Sequence, residues 1–233
     1  HNHVNHIGYI DTAKERLSHC RANSKLKSCQ IYMPIRPSLL AYFPSCLNSL
    51  NFKILSLDDD EPLTWPARLE SLFLSSLVPI TKSFILTLKQ LNCLHTLDIG
   101  HSSIDPDVLS SLPPTLTKVS LQNINETLCD SHLKNLPRDL QSLWISGPPT
   151  EITGRAFESL PRTLTSISLP PSKLEKSVTK LFPPFLEAFH CNILSDKPSH
   201  WIKEHFAEKE RQEEMRYLVE APCSLVPNGC RIS

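Results

Sequence analysis

Glycine is scarce in this chain, with five in 233 residues. That argues against a Gly-rich phosphate loop and against a dinucleotide-binding fold. Charge of either sign is not in excess, because 24 Lys and Arg balance 24 Asp and Glu. A nucleic-acid partner is therefore not expected, since such proteins normally carry a basic surplus. Apolar runs are short. None reaches the ~18 residues of a spanning helix, and stretches such as Phe84–Leu88 are interrupted by Thr and Lys, so no transmembrane segment is expected. None of the eight cysteines forms a CxxC pair, which removes the usual zinc and redox spacings. They are scattered along the chain and read as reduced thiols of a cytosolic protein. No paired carboxylates and no Ser/His/Asp or Cys/His arrangement stand out. The expectation is a protein that is not an enzyme, with no cofactor. His1, His3 and His6 have no spaced carboxylate partner, so no metal site is expected there.

What the chain has in abundance is leucine, serine and proline, at 36, 28 and 20 residues. The leucines follow the phrase L-x-x-L-x-L. It occurs at Leu47-Leu50-Phe52, Leu69-Leu72-Leu74, Leu94-Leu97-Ile99 and Leu116-Val119-Leu121. It continues at Leu140-Leu143-Ile145, Leu164-Ile167-Leu169 and Leu186-Phe189-Cys191, with a weaker copy at Leu26-Cys29-Ile31. Successive copies begin 21, 22, 25, 22, 24, 24 and 22 residues apart. All 24 pattern positions are apolar, whereas only Phe73, Trp144 and Ala188 are apolar among the 24 positions between them. Alternation of this kind makes a half-buried strand. A spacing of some 22 residues is too long for a hairpin and suits a crossover that returns parallel.

The segments between strands read as helical or 3₁₀. Asp105-Pro106-Asp107 is an N-cap followed by proline at the first helical position. Glu126–Leu136 and Gly154–Leu160 carry similar spacing. Each return then ends in a second phrase, at Leu112-Pro113-Pro114-Thr115-Leu116, Leu136-Pro137-Arg138-Asp139-Leu140 and Leu160-Pro161-Arg162-Thr163-Leu164. Phe182–Leu186 and Trp65–Leu69 are degraded forms. Proline ends the helical run and pushes its predecessor toward extended backbone, handing the chain to the next strand.

In these two phrases and in its period the chain resembles the leucine-rich repeat family over roughly residues 26–195. The resemblance implies an α/β fold. It would be a leucine-rich-repeat solenoid with a curved parallel β-sheet on the concave face and short helices or 3₁₀ turns on the convex face. The family's usual Asn or Cys after the strand is mostly missing. Ser102 and Ser172 hold that place in two copies, and Leu77, Ile124 and Pro148 in others, so irregular turns are expected. The exposed central column would be Gln30, Asn51, Phe73, Asp98, Ser120, Trp144, Ser168 and His190, flanked by a mostly small, hydroxylated column. Phe73 and Trp144 are the expected anchors for a partner, with Asp98, Lys118 and His190 giving polar selectivity. The implied function is a non-catalytic protein-protein interaction scaffold. The leading alternative is the substrate-recognition part of a ubiquitin ligase, of F-box type or with a catalytic domain elsewhere, and a second is an enzyme using a Cys nucleophile.

The expected organisation is an N-terminal flank over 1–25, repeats over 26–198, a C-terminal capping helix over 199–221 and a tail over 222–233. Within the flank, Thr12–His19 reads as an amphipathic helix. Because the first residue is His1, the sequence reads as a fragment or a processed form. The last four residues, Cys230-Arg231-Ile232-Ser233, resemble a prenylation box in which Cys230 would be lipidated. Asn125-Glu126-Thr127 is a glycosylation sequon that matters only in a secreted protein. A cytoplasmic monomer is expected.

Overall fold

The computed structural model describes residues 25–57, 63–193 and 200–220. They fall into two compact units divided after Leu194. The first is a solenoid-like α/β unit built on eight strands: β1 Ser28–Ile35, β2 Ser49–Ile54, β3 Ser71–Ser76, β4 Thr96–Gly100, β5 Lys118–Leu121, β6 Ser142–Ile145, β7 Ser166–Ser172 and β8 Ala188–Ile193. They form one sheet in sequence order, and each strand is parallel to the next. The expected parallel returns are therefore present.

The returns are short, as their sequences imply. They are helix α1 Lys82–Thr87, helix α2 Asp130–Leu133, and 3₁₀ segments at Pro37–Tyr42, Leu88–Gln90, Pro106–Ser111, Gly154–Ser159 and Lys176–Leu181. Asp105 caps its segment as expected, accepting from the Asp107 N–H at 2.8 Å with Pro106 at the first position. Thr153 caps the segment at Gly154 in the same way, from the Arg155 N–H. Thr81 caps α1.

A tight turn leads into every strand but the first, and in all but one of these the proline phrase makes it. In each of six copies the proline carbonyl accepts from the leucine N–H three residues on: Pro44 from Leu47, Pro66 from Leu69, Pro113 from Leu116, Pro137 from Leu140, Pro161 from Leu164 and Pro183 from Leu186. Before β4 the same bond runs from Leu94 to Leu91 without a proline. The copy at Phe43–Leu47 is one that the sequence reading passed over. After each turn one carbonyl serves two amides of the next repeat. Lys27, Asn48, Glu70, His95, Thr117, Gln141 and Thr165 each play this part. This ladder fixes the register, because a slip of one residue would break both bonds and turn the leucines out of the core.

The register pairs Leu50, Leu72, Leu97, Val119, Leu143 and Ile167 across neighbouring strands. From Leu47 to Phe189 every pattern position is buried. The first copy, Leu26, Cys29 and Ile31, is half-buried, as is Cys191 in the last. Two ring clusters flank the aliphatic centre. Trp65 lies 6.4 Å from Phe52 and 5.9 Å from Phe84, with its indole N–H donating to Thr87 Oγ1 at 3.1 Å. Phe157, Phe182 and Phe189 lie 4.9 to 5.8 Å apart.

Turns after the strands differ from the expected pattern. In two copies the residues at the family position, Ser102 and Ser172, hold the backbone, and in others a neighbouring serine does. Ser102 Oγ accepts from the Ser76 N–H at 2.7 Å and donates to the Gly100 carbonyl. Ser172 donates to the Pro170 carbonyl and meets Thr150 Oγ1 at 2.6 Å. Where Leu77 was placed, Ser76 serves instead, accepting from the Val78 N–H, and Leu77 is exposed. Ser146 takes the Asn123 N–H. Left-handed backbone at His101 (φ 51°) and Asn123 (φ 68°) completes two of these turns.

The second unit contains helix α3, His200–Glu220. Its solvated stretch carries an Arg211–Glu208 pair at 2.7 Å. The flank before residue 25 and the tail after 220, with His1, His3, His6 and Cys230, lie outside the described residues.

Candidate functional site

Return segments pack against one face of the sheet, so the strand residues between the leucines line the other. On β2, β3 and β4 burial alternates residue by residue. The register joins Gln30, Asn51, Phe73, Asp98, Ser120, Trp144, Ser168 and His190 into one row. Beside it runs Ser28, Ser49, Ser71, Thr96, Lys118, Ser142, Ser166 and Ala188. Both columns are those predicted from the sequence. At ~4.8 Å per strand the row is roughly 34 Å long.

All five residues expected on this face lie in these two columns. Trp144 on β6 is 46% exposed, a large apolar surface left open to water. Phe73 on β3 is half-buried and protrudes less. Three strands separate the two rings, roughly 14 Å. Asp98 and Lys118 sit on neighbouring strands, and no ion pair joins them among the described residues. His190 is exposed at the β8 end of the row. Between Asp98 and Trp144 the register places Ser120, whose Oγ is shut off from water and has no hydrogen-bond partner among the described residues. A buried hydroxyl left unmet is costly and uncommon. The sequence offered no sign of it, because Ser120 looks like its neighbours Ser142 and Ser168 until the packing is known.

On this face hydroxyls offer hydrogen bonds, one ring offers apolar area, and Asp98 and Lys118 offer charge that no ion pair engages among the described residues. Among the described residues no group of three or more His, Cys, Asp or Glu is placed to hold a metal ion. None of their helices is long and apolar enough to cross a membrane. The half-buried Cys191 at the end of the core donates to the Pro170 carbonyl, and burial pushes its thiol up from the ordinary value.

One cluster on the return side was missed in the sequence. Cys129, at the N-cap of α2, and His132 lie three residues apart, and the thiol sulfur sits 3.3 Å from His132 Nδ1. The i, i+3 spacing was the available signal. Asp107 joins them from the preceding repeat, some two dozen residues away, which nothing in the local sequence indicated.

Compared with known proteins, the chain matches no family model and no curated protein.

Proposed function

We propose that this chain is a leucine-rich-repeat scaffold that binds a protein partner on the open face of its sheet, without catalysis. The observation that supports this most is the ladder register, which collects Phe73, Asp98, Ser120 and Trp144 into one row, with Trp144 nearly half exposed. Interface energy concentrates in a few aromatic side chains surrounded by small polar contacts. A tryptophan set among serines is such an arrangement. Asp98 and Lys118 would select a partner of alternating charge.

The experiment is quantitative recovery of bound partner by the wild-type chain, Trp144→Ala, Phe73→Ala with Trp144→Ala, and a control, Leu86→Ala. Leu86 is exposed on α1, away from the sheet face. Loss of an aromatic anchor should weaken binding by about 2 kcal/mol, roughly 30-fold, with the control unaffected. Because Trp144 is exposed, its substitution should leave the unfolding midpoint almost unchanged. Undiminished recovery by the double variant would overturn the proposal.

A further inference from the structure

Away from the sheet face, the chain brings a nucleophile, a base and an acid together. Cys129 lies at the start of α2, and its Sγ stands 3.3 Å from His132 Nδ1 and 3.0 Å from Ser131 Oγ. The Cys129 backbone N–H donates to the same Nδ1 at 3.0 Å. That bond assigns the tautomer, because an Nδ1 that accepts leaves the ring proton on Nε2. Nε2 in turn faces Asp107 Oδ1 at 3.8 Å, close but not in direct hydrogen bond. The imidazole is largely enclosed, with 19% of its side chain exposed, while Asp107 stands mostly in water. Cys129 itself is half-exposed. Its neighbour Asp130 is occupied elsewhere, accepting from the N–H and O–H of Thr153 at 2.7 and 2.6 Å. A thiol beside a base whose other nitrogen is held by a third group is the general arrangement of an activated nucleophile.

We propose that Cys129 is a base-assisted thiol that undergoes exchange with small disulfides, making it a site of reversible S-thiolation. At rest Nδ1 accepts from the Cys129 N–H. As the sulfur attacks one sulfur of R–S–S–R, His132 Nδ1 releases the Cys129 N–H and takes the thiol proton, and the R–S–S–R bond breaks. The departing RS⁻ takes that proton and leaves as RSH. Cys129 ends as the mixed disulfide Cys129–S–S–R, oxidised at the expense of the released half. His132 and Ser131 donate toward the sulfur as charge develops, and Asp107 steadies the imidazolium. Placed on the return side, the modification would leave the open sheet face free.

The test uses the full chain, oxidised glutathione at neutral pH, and mass spectrometry to measure mixed-disulfide formation cysteine by cysteine. Cys93, also half-exposed, is the internal reference. A free thiol is only a few per cent ionised at neutral pH, so assistance by a base leaves room for about a tenfold gain in rate. Cys129 should therefore exceed Cys93 by about tenfold. His132→Gln retains an acceptor for the capping N–H but removes the base, and it should bring Cys129 down to the rate of Cys93 with the unfolding midpoint preserved. Asp107→Asn, on the solvent side, should give an intermediate rate. Equal rates for Cys129 and Cys93 in the wild type would overturn the proposal. So would a His132→Gln variant that still reacts as fast as the wild type, because exposure alone would then account for the reactivity. Should His132→Gln not fold, the wild-type ratio and Asp107→Asn decide the matter.

Discussion

The middle and the ends of the sheet follow one pattern with different success. From β3 to β6 each strand has a neighbour on both sides. The register there runs without a shift, and the leucine positions of these strands are at most 3% exposed. At the ends the same phrase is imperfectly buried. Leu26, Cys29 and Ile31 are half-exposed beside β1, Cys191 is half-exposed on β8, and the pairing shifts between Gln30 and Pro34 and again between Leu169 and Ser172. A repeat cannot close its own apolar side, so its burial comes from the repeats stacked on it. The lesson is that position in the stack decides how much a given leucine contributes, even where the sequence phrase is the same.

The largest test of that difference is a pair of equivalent substitutions. Leu140→Ala, at the matching position of a middle repeat and 0% exposed, should cost about 3–4 kcal/mol. Leu26→Ala, at the half-buried end, should cost about 1 kcal/mol, close to the transfer of its remaining buried surface alone. Urea unfolding followed by far-ultraviolet circular dichroism checks both. Equal losses would mean that the ends are as well packed as the middle, and the comparison would fail.

How far the fold could be read ahead of the structure follows the same division. The strands, their parallel order and both surface columns were legible because the apolar alternation and the proline turn repeat with nearly constant internal spacing. The row from Gln30 to His190 follows directly from Leu-to-Leu register. The post-strand turns were not legible in this way. Ser102 and Ser172 hold their turns from the family position, but Ser76 and Ser146 do so from nearer the strand, so that fixed position pointed to Leu77 and Pro148 instead. The turn at Phe43–Leu47 was passed over although its proline is in register. At the candidate site, the identities of Phe73 and Trp144 were readable, but not that the first is half-covered and the second open, since burial depends on neighbouring strands. The Cys129 cluster was hidden because Asp107 reaches it across a repeat boundary.

Turn hydroxyls should sharpen the comparison at smaller magnitude. Ser102 lies in the middle of the stack and Ser172 near its end, yet both are buried, at 2% and 0% exposure, and both bond the backbone. Ser102→Ala leaves the Ser76 N–H without its acceptor, and Ser172→Ala removes the Thr150 hydroxyl's contact and one of two donors to the Pro170 carbonyl, the Cys191 thiol being the other. Each should cost about 1–2 kcal/mol, measured as a shift in the urea midpoint. Similar losses would show that the end effect is confined to the apolar ladder. A loss at Ser102 alone would extend it to the turns.

The smallest effect separates middle from end by chemistry. The third apolar position of the phrase is Leu121 on β5 and Ile145 on β6, neither of which titrates, but Cys191 on β8. Burial raises the Cys191 thiol above its ordinary value, opposed in part by hydrogen bonds to Ser172. A raised folded-state value means that the folded chain holds this proton at a pH where the unfolded chain has released it. Stability is then complete below the ordinary thiol value and falls as pH climbs from there toward the raised one. Urea midpoints taken from neutral pH into the alkaline range should therefore decline in the wild type, and decline less in Cys191→Val, which keeps an apolar group of similar size. The other cysteines are common to both proteins, so the difference isolates this position. Parallel curves for the two would mean that the end of the core is wet enough for Cys191 to ionise as freely in the fold as out of it.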